Sequence, residues 1–198
     1  LASGLITMYS RCGLLPDAVA VYDALTAAAG GRPDAVVINA LVSACRRCGE
    51  PGQALRLLDD IDRFGLELDD LGFRLLAAVA GETGDAVAAK RLLARLQRGL
   101  PASGADGLDC HQLIKALLDN VDGGKDVSEP NHRASSRIAD ALSVLDVMDQ
   151  RGISKHANHF SPLVAACTVA GDVDLGRQVH ARIRGSLVAM NDSLGSGL

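Results

Sequence analysis

The chain has 198 residues, of which 48% are hydrophobic but only 3% aromatic, with no Trp; a mixture dominated by Ala and Leu suits packed helices better than sheets. A net charge of −4 lacks the basic excess of a protein that grips nucleic acid mainly through its phosphates. Five cysteines, an odd number spread over helical patterns, argue against a secreted disulfide framework and for a reducing compartment. Runs such as Ala35 to Cys45 are interrupted by Asn39 and Ser43 and then meet Arg46, so none reaches the roughly 18 residues of a membrane span. The chain reads as soluble. It opens on Leu1 rather than Met and stops in a Gly/Ser stretch that caps nothing, so both ends read as cuts in a longer protein.

In chain order, the first element is Leu5-Ile-Thr-Met-Tyr-Ser-Arg-Cys-Gly13, with Ala18 five residues on. Leu41-Val-Ser-Ala-Cys-Arg-Arg-Cys-Gly49 repeats it 36 residues later with Ala54, and Leu76 to Gly84 repeats it 35 residues after that with Ala89. A fourth copy runs from Leu163 to Gly171, where Gly176 takes the place of the Ala. Within each copy the apolar residues recur at helical spacing, as at Leu41, Val42, Cys45 and Cys48. The glycine suits a left-handed position that ends the helix. A second helix follows, carrying Ala54, Leu55, Leu57, Leu58 and Ile61, and ends around Phe64-Gly65. The small residue at 18, 54, 89 and 176 lets two antiparallel helices approach closely.

The period therefore predicts an all-α solenoid of stacked helix–turn–helix units of about 35 residues. One hairpin cannot bury both faces, so neighbours must stack and leave a long concave surface. The units are 1–34 (truncated at its start), 35–69, 70–106 (divergent), 107–156, 157–193, and the start of a further unit at 194–198. In the fourth unit a polar, Gly/Pro-containing stretch, about 121–136, reads as an inserted, disordered surface loop between helices Cys110 to Asn120 and Ile138 to Arg151.

Unit two matches the pentatricopeptide repeat at Val36, Asn39, Leu41, Cys45, Gly49, Ala54, Leu57, Ile61, Gly65 and Asp69 without a gap, and the chain resembles that family. The tetratricopeptide repeat shares the architecture, but its signature calls for a Trp. Ala170 to Ala181 is similar to the long variant of the repeat and Leu5 to Gly13 to the short one, variants of the subclass linked to organellar RNA editing. The resemblance implies a right-handed superhelix that binds single-stranded RNA at one base per repeat. It also implies a mitochondrion or plastid, with other organellar RNA-processing proteins as partners, and neither cofactor nor membrane.

Carried over by resemblance, the fifth residue of the first helix and the last residue of the repeat read the base edge, and the second residue is an apolar wedge between bases. In unit two the readers are Asn39 and Asp69 and the wedge is Val36, which implies uracil. The plainer alternative is that Asn39 merely starts a helix and Asp69 caps the next. Unit one pairs Ser3 with Asp34 and leans to a purine; unit five offers Ser161. Unit three would use Arg74 and unit four His111 with His156, which read as spacers. Leu71 and Leu108 are the other wedges, whereas Asn158 breaks the series. Arg11 and Arg47 would face phosphates, or else be solvated arginines favoured by a helix C-terminus.

No residues assemble into a catalytic or metal site. Cys45-x-x-Cys48 falls on repeat positions shared with Tyr9, Cys167 and Cys12, so these read as small core residues. His156-Ala-Asn-His159 sits at a unit junction, where a polar surface is the ordinary expectation. The competing function is a protein-binding scaffold that takes a peptide or helix in the same groove.

Overall fold

A computed structural model describes residues 2–28, 30–99, 110–119 and 130–195. The described residues form an all-helical stack: α1 (Ala2–Cys12), α2 (Leu15–Ala27), α3 (Ala35–Cys48), α4 (Pro51–Phe64), α5 (Asp70–Thr83), α6 (Ala86–Gly99), α7 (Cys110–Leu118), α8 (Pro130–Gln150), α9 (Ala157–Ala170) and α10 (Val173–Gly195). No described helix is long and apolar enough to cross a membrane.

Local chemistry sets where the helices begin and end. Gly13, Gly49, Gly84 and Gly171 close the first helix of their hairpins, and each has positive φ, between 65° and 74°. Gly65 and Gly152 close α4 and α8 in the same way; only glycine occupies this conformation at little cost. Acids open helices. Asp34 accepts the Val37 N–H at 2.8 Å, Asp69 the Gly72 N–H at 2.7 Å, and Asp172 the Leu175 N–H at 3.0 Å. Each satisfies an otherwise orphaned donor and complements the helix dipole.

Every odd-numbered helix packs on its hairpin partner and on the next odd-numbered helix, so α1, α3, α5, α7 and α9 form one continuous layer. The even-numbered helices pack across to the following odd-numbered helix but approach each other less closely. The stack therefore bends toward the odd-numbered layer, its inner surface. Ala18, Ala54 and Ala89 are fully buried, as the close approach of the hairpin helices requires. Around them one core runs the length of the stack, from Ile6 through Leu58, Leu92 and Leu145 to Val179. Gly176 differs, because a Cβ there would meet no atom within 4 Å and the packing does not demand a small residue.

Two boundaries depart from the sequence reading. The inserted segment does not extend to 136, because α8 begins at Pro130. Proline suits a first helical position, and Ala134 and Ile138, four residues apart and buried, extend the apolar stripe backwards through a stretch that looks loop-like in composition. Residues 121–129 lie outside the described residues. At the other end α10 continues to Gly195, with no turn separating a further unit at Leu194.

Candidate nucleic-acid interface

The inner layer brings together the two readers of unit two. Asn39, in the second turn of α3, is only 8% exposed, and its Nδ2 donates to both carboxylate oxygens of Asp69 at 3.0 Å. Asp69 is at the same time the N-cap of α5. One carboxylate thus ends a unit, starts the next helix and orients an amide from the helix below. With Nδ2 committed to the carboxylate, Asn39 Oδ1 is buried with no hydrogen-bond partner. A buried acceptor left unpaired costs about 1–3 kcal/mol, and such an atom in a folded protein calls for an explanation. Gly72, one turn into α5, lies directly against this pair. Sequence reasoning passed over it; its one signal was a glycine inside a helical run.

The apolar residues at the second position are exposed on the same surface: Val36 is 61% and Leu71 48% accessible. Val36 lies one turn before Asn39, and Leu71 two residues after Asp69, so an aliphatic side chain flanks the amide–carboxylate pair on each side. Leu108 lies outside the described residues.

The remaining readers are not assembled in this way. Asp34 caps α3, but among the described residues no hydrogen bond joins it to Ser3, whose hydroxymethyl group is shorter than an Asn amide. Arg74 and Ser161 are exposed, and the Ser161 hydroxyl donates back to Ala157 O at 3.1 Å within its own helix. At the fourth unit His111 and His156 both meet His159: its ring stands edge-on to His111 at 6.3 Å and stacks on His156 at 5.9 Å. His159 is buried, contrary to the polar surface expected there, because its ring folds back onto the start of α9. The His156 N–H lies 2.9 Å from His159 Nδ1. Among the described residues no group of His, Cys, Asp or Glu is arranged to hold a metal ion.

The two arginines expected to face phosphates differ from each other. Both are exposed, but Arg47 also donates to the Ser10 carbonyl near the end of α1; carbonyls there lie at the negative end of the helix dipole. Its neighbour Arg46 pairs with Glu82 of α5 at 2.5 Å. The cysteines also divide. Cys45, Cys110 and Cys167 are buried, whereas Cys12 and Cys48 are exposed and are not core residues. Both lie in the last turn of their helices, α1 and α3. Burial, reinforced by Cys48, pushes the Cys45 thiol up to about 11, so it stays protonated at neutral pH.

Charge is unevenly distributed between the parts of the stack. The five inner helices carry Arg11, Arg46, Arg47, Arg74 and Lys115 against only Asp70 and Glu82. The acidic excess of the chain lies in the connecting segments, where several of the acids are helix caps. The even-numbered helices use theirs on each other. Tyr22 donates to Asp60 at 3.0 Å, Arg91 reaches Asp59 and Asp62 at 2.8 and 2.5 Å, and Arg95 also reaches Asp62. Lys90 pairs with Asp140 at 2.7 Å, and Arg182 with Asp146.

The fold and this surface define an α-solenoid of stacked helical hairpins with a polar, apolar-flanked inner face. Residues 36–66 match the family model of the PPR repeat. Over 219 aligned residues the chain is 27% identical to a pentatricopeptide repeat-containing protein of Arabidopsis thaliana, an alignment covering 98% of this chain and 28% of that protein. The crystal structure of the pentatricopeptide repeat protein PPR10 from maize aligns with 93% of the chain and 29% of its own, at 19% identity and a TM-score of 0.43. Residues 36–66 thus match a pentatricopeptide repeat, and the chain as a whole is similar to proteins built of such repeats. It spans a little over a quarter of the length of these relatives.

Proposed function

We propose that this chain is a sequence-selective single-stranded RNA-binding array, reading one base per repeat, that serves RNA processing or editing in a mitochondrion or plastid. The observation that carries the reading is the Asn39–Asp69 pair. An amide whose nitrogen is fixed by a carboxylate has its remaining donor and acceptor capacity defined before any ligand arrives. Uracil complements such a group, because its N3–H donates and its carbonyls accept, whereas cytosine N3 only accepts. Asn39 Oδ1 has no partner in the free protein, so the amide keeps one acceptor unpaired. The exposed Val36 and Leu71 supply the apolar surfaces between which a base plane would lie.

The net charge of −4 is compatible with this role, since the inner helices carry mostly cations and the acids lie elsewhere. The compartment rests on family resemblance and on the plant relative. The role is one of binding and includes no catalytic step. The test is selection from a random single-stranded RNA pool on the full chain, at two salt concentrations, with DNA as control. A short enriched motif with a fixed uracil, lost in Asn39→Ala, supports base-by-base reading. Failure to retain RNA even at low salt points instead to a scaffold that binds a peptide or helix.

A further inference from the structure

Gly72 is the third residue of α5 and is buried. Its φ is not positive, so the backbone conformation does not call for glycine, and helix propensity argues against one. Space is what demands it. A Cβ at position 72 would lie 2.6 Å from Asn39 Oδ1, 3.0 Å from Asp69 Oδ1 and 3.1 Å from Leu68 Cδ2. The first distance is closer than Cβ atoms approach in folded proteins, and the second is at the limit. These two oxygens belong to the pair assigned to base reading, and the Gly72 N–H already holds Asp69 Oδ1 at 2.7 Å.

We propose that Gly72 is a specificity-determining residue for the base read by Asn39 and Asp69, so that this position is set by three residues in two successive units. The inference rests on the RNA-reading function above. Asp69 Oδ1 is anchored by its cap bond and Leu68 is buried, so the atom free to yield to a methyl group is Asn39 Oδ1, at the end of a side chain with two torsions. The amide turns, Nδ2 leaves the carboxylate, and the donor and acceptor presented to the base are no longer fixed. Glycine at 72 keeps the amide in register.

The experiment uses the full chain with the RNA it selects and the three single-base variants of that RNA at the uracil. Gly72→Ala is expected to lower the preference for uracil roughly tenfold, the value of one hydrogen bond lost between fixed partners, while the melting temperature holds or rises. In parallel, the side-chain amide resonance of Asn39 is expected to move away from its carboxylate-bonded position. If the folded Gly72→Ala chain keeps both the preference and the resonance, the assignment of Gly72 is overturned and the RNA reading stands. If the wild-type chain shows no base preference, the RNA reading itself fails and takes this assignment with it. Should Gly72→Ala not fold, the double variant Asn39→Ser with Gly72→Ala removes the oxygen from the path of the methyl; recovery of folding supports the local clash, and continued failure to fold refutes it.

Discussion

The odd- and even-numbered helices share one core, yet the two layers use their polar residues in opposite ways. The even-numbered layer turns its charges on itself, in a ladder that runs from Tyr22–Asp60 through the Arg91 and Arg95 pairs with Asp62 to Lys90–Asp140 and Arg182–Asp146. Its helices stand farther apart, and long side chains span the gap. The odd-numbered layer packs backbone close to backbone, keeps few ion pairs, and leaves Val36, Leu71 and Arg11 exposed. The polar contacts that hold successive hairpins in register therefore lie in one layer and the groups left uncommitted for a ligand in the other.

The largest effect is expected from removing what both layers share. Leu58 is fully buried, and Leu58→Ala should cost about 2–5 kcal/mol, lowering the urea midpoint of the whole stack; a loss under about 1 kcal/mol would mean that neighbouring hairpins are not mutually dependent. Next comes the inner layer alone. Val36→Ser with Leu71→Ser should weaken RNA binding by about 1–2 kcal/mol, at the low end of what stacking on larger rings provides, and leave the melting temperature unchanged. Equal affinity in a filter-binding titration would dismiss these residues as wedges.

The converse variant tests the outer layer. Arg91→Ala with Arg95→Ala should lower stability by about 1 kcal/mol, since these pairs are partly solvent-screened, with base preference intact; a changed preference would show that the layers are not separable. The smallest effect is a pH dependence. Burial alone would raise the Asp62 carboxyl, but the hydrogen bonds and charges of Arg91 and Arg95 outweigh it and hold the group below the usual carboxylate range. A depressed carboxyl stabilises the fold fully above its unfolded value, about 3.9, and loses that contribution as pH falls through the folded value. Acid denaturation of Asp62→Asn should therefore lack a component present in wild type below about pH 4, and superimposed profiles would count against the ladder.

Much of this was legible in the sequence because it is local or periodic. The 35-residue spacing, the left-handed glycines and the buried Ala18, Ala54 and Ala89 follow from propensity and from the need to bury one face of each helix. The register of the repeat also placed Asn39 opposite Asp69, because residues 30 apart fall on neighbouring helices once the period is known. The exposure of Val36 and Leu71 follows from the same register. The start of α8 is not legible in the sequence, because a buried stripe of Ala134 and Ile138 is too sparse to outweigh a polar composition.

Tertiary structure decided what depends on the angle and depth at which hairpins stack, and no single-helix pattern encodes those. That Arg47 is tied to the Ser10 carbonyl, that His159 is buried, and that Cys48 is exposed although Cys45 is not, are outcomes of that stacking. The orphaned Asn39 oxygen and the glycine that makes room for it belong to the same class. Sequence alone determined the helices and their repeat, since both arise from interactions within one turn or one hairpin. Which side chains would be spent on neighbours and which left for a ligand was settled only by distances of a few ångströms between residues tens of positions apart.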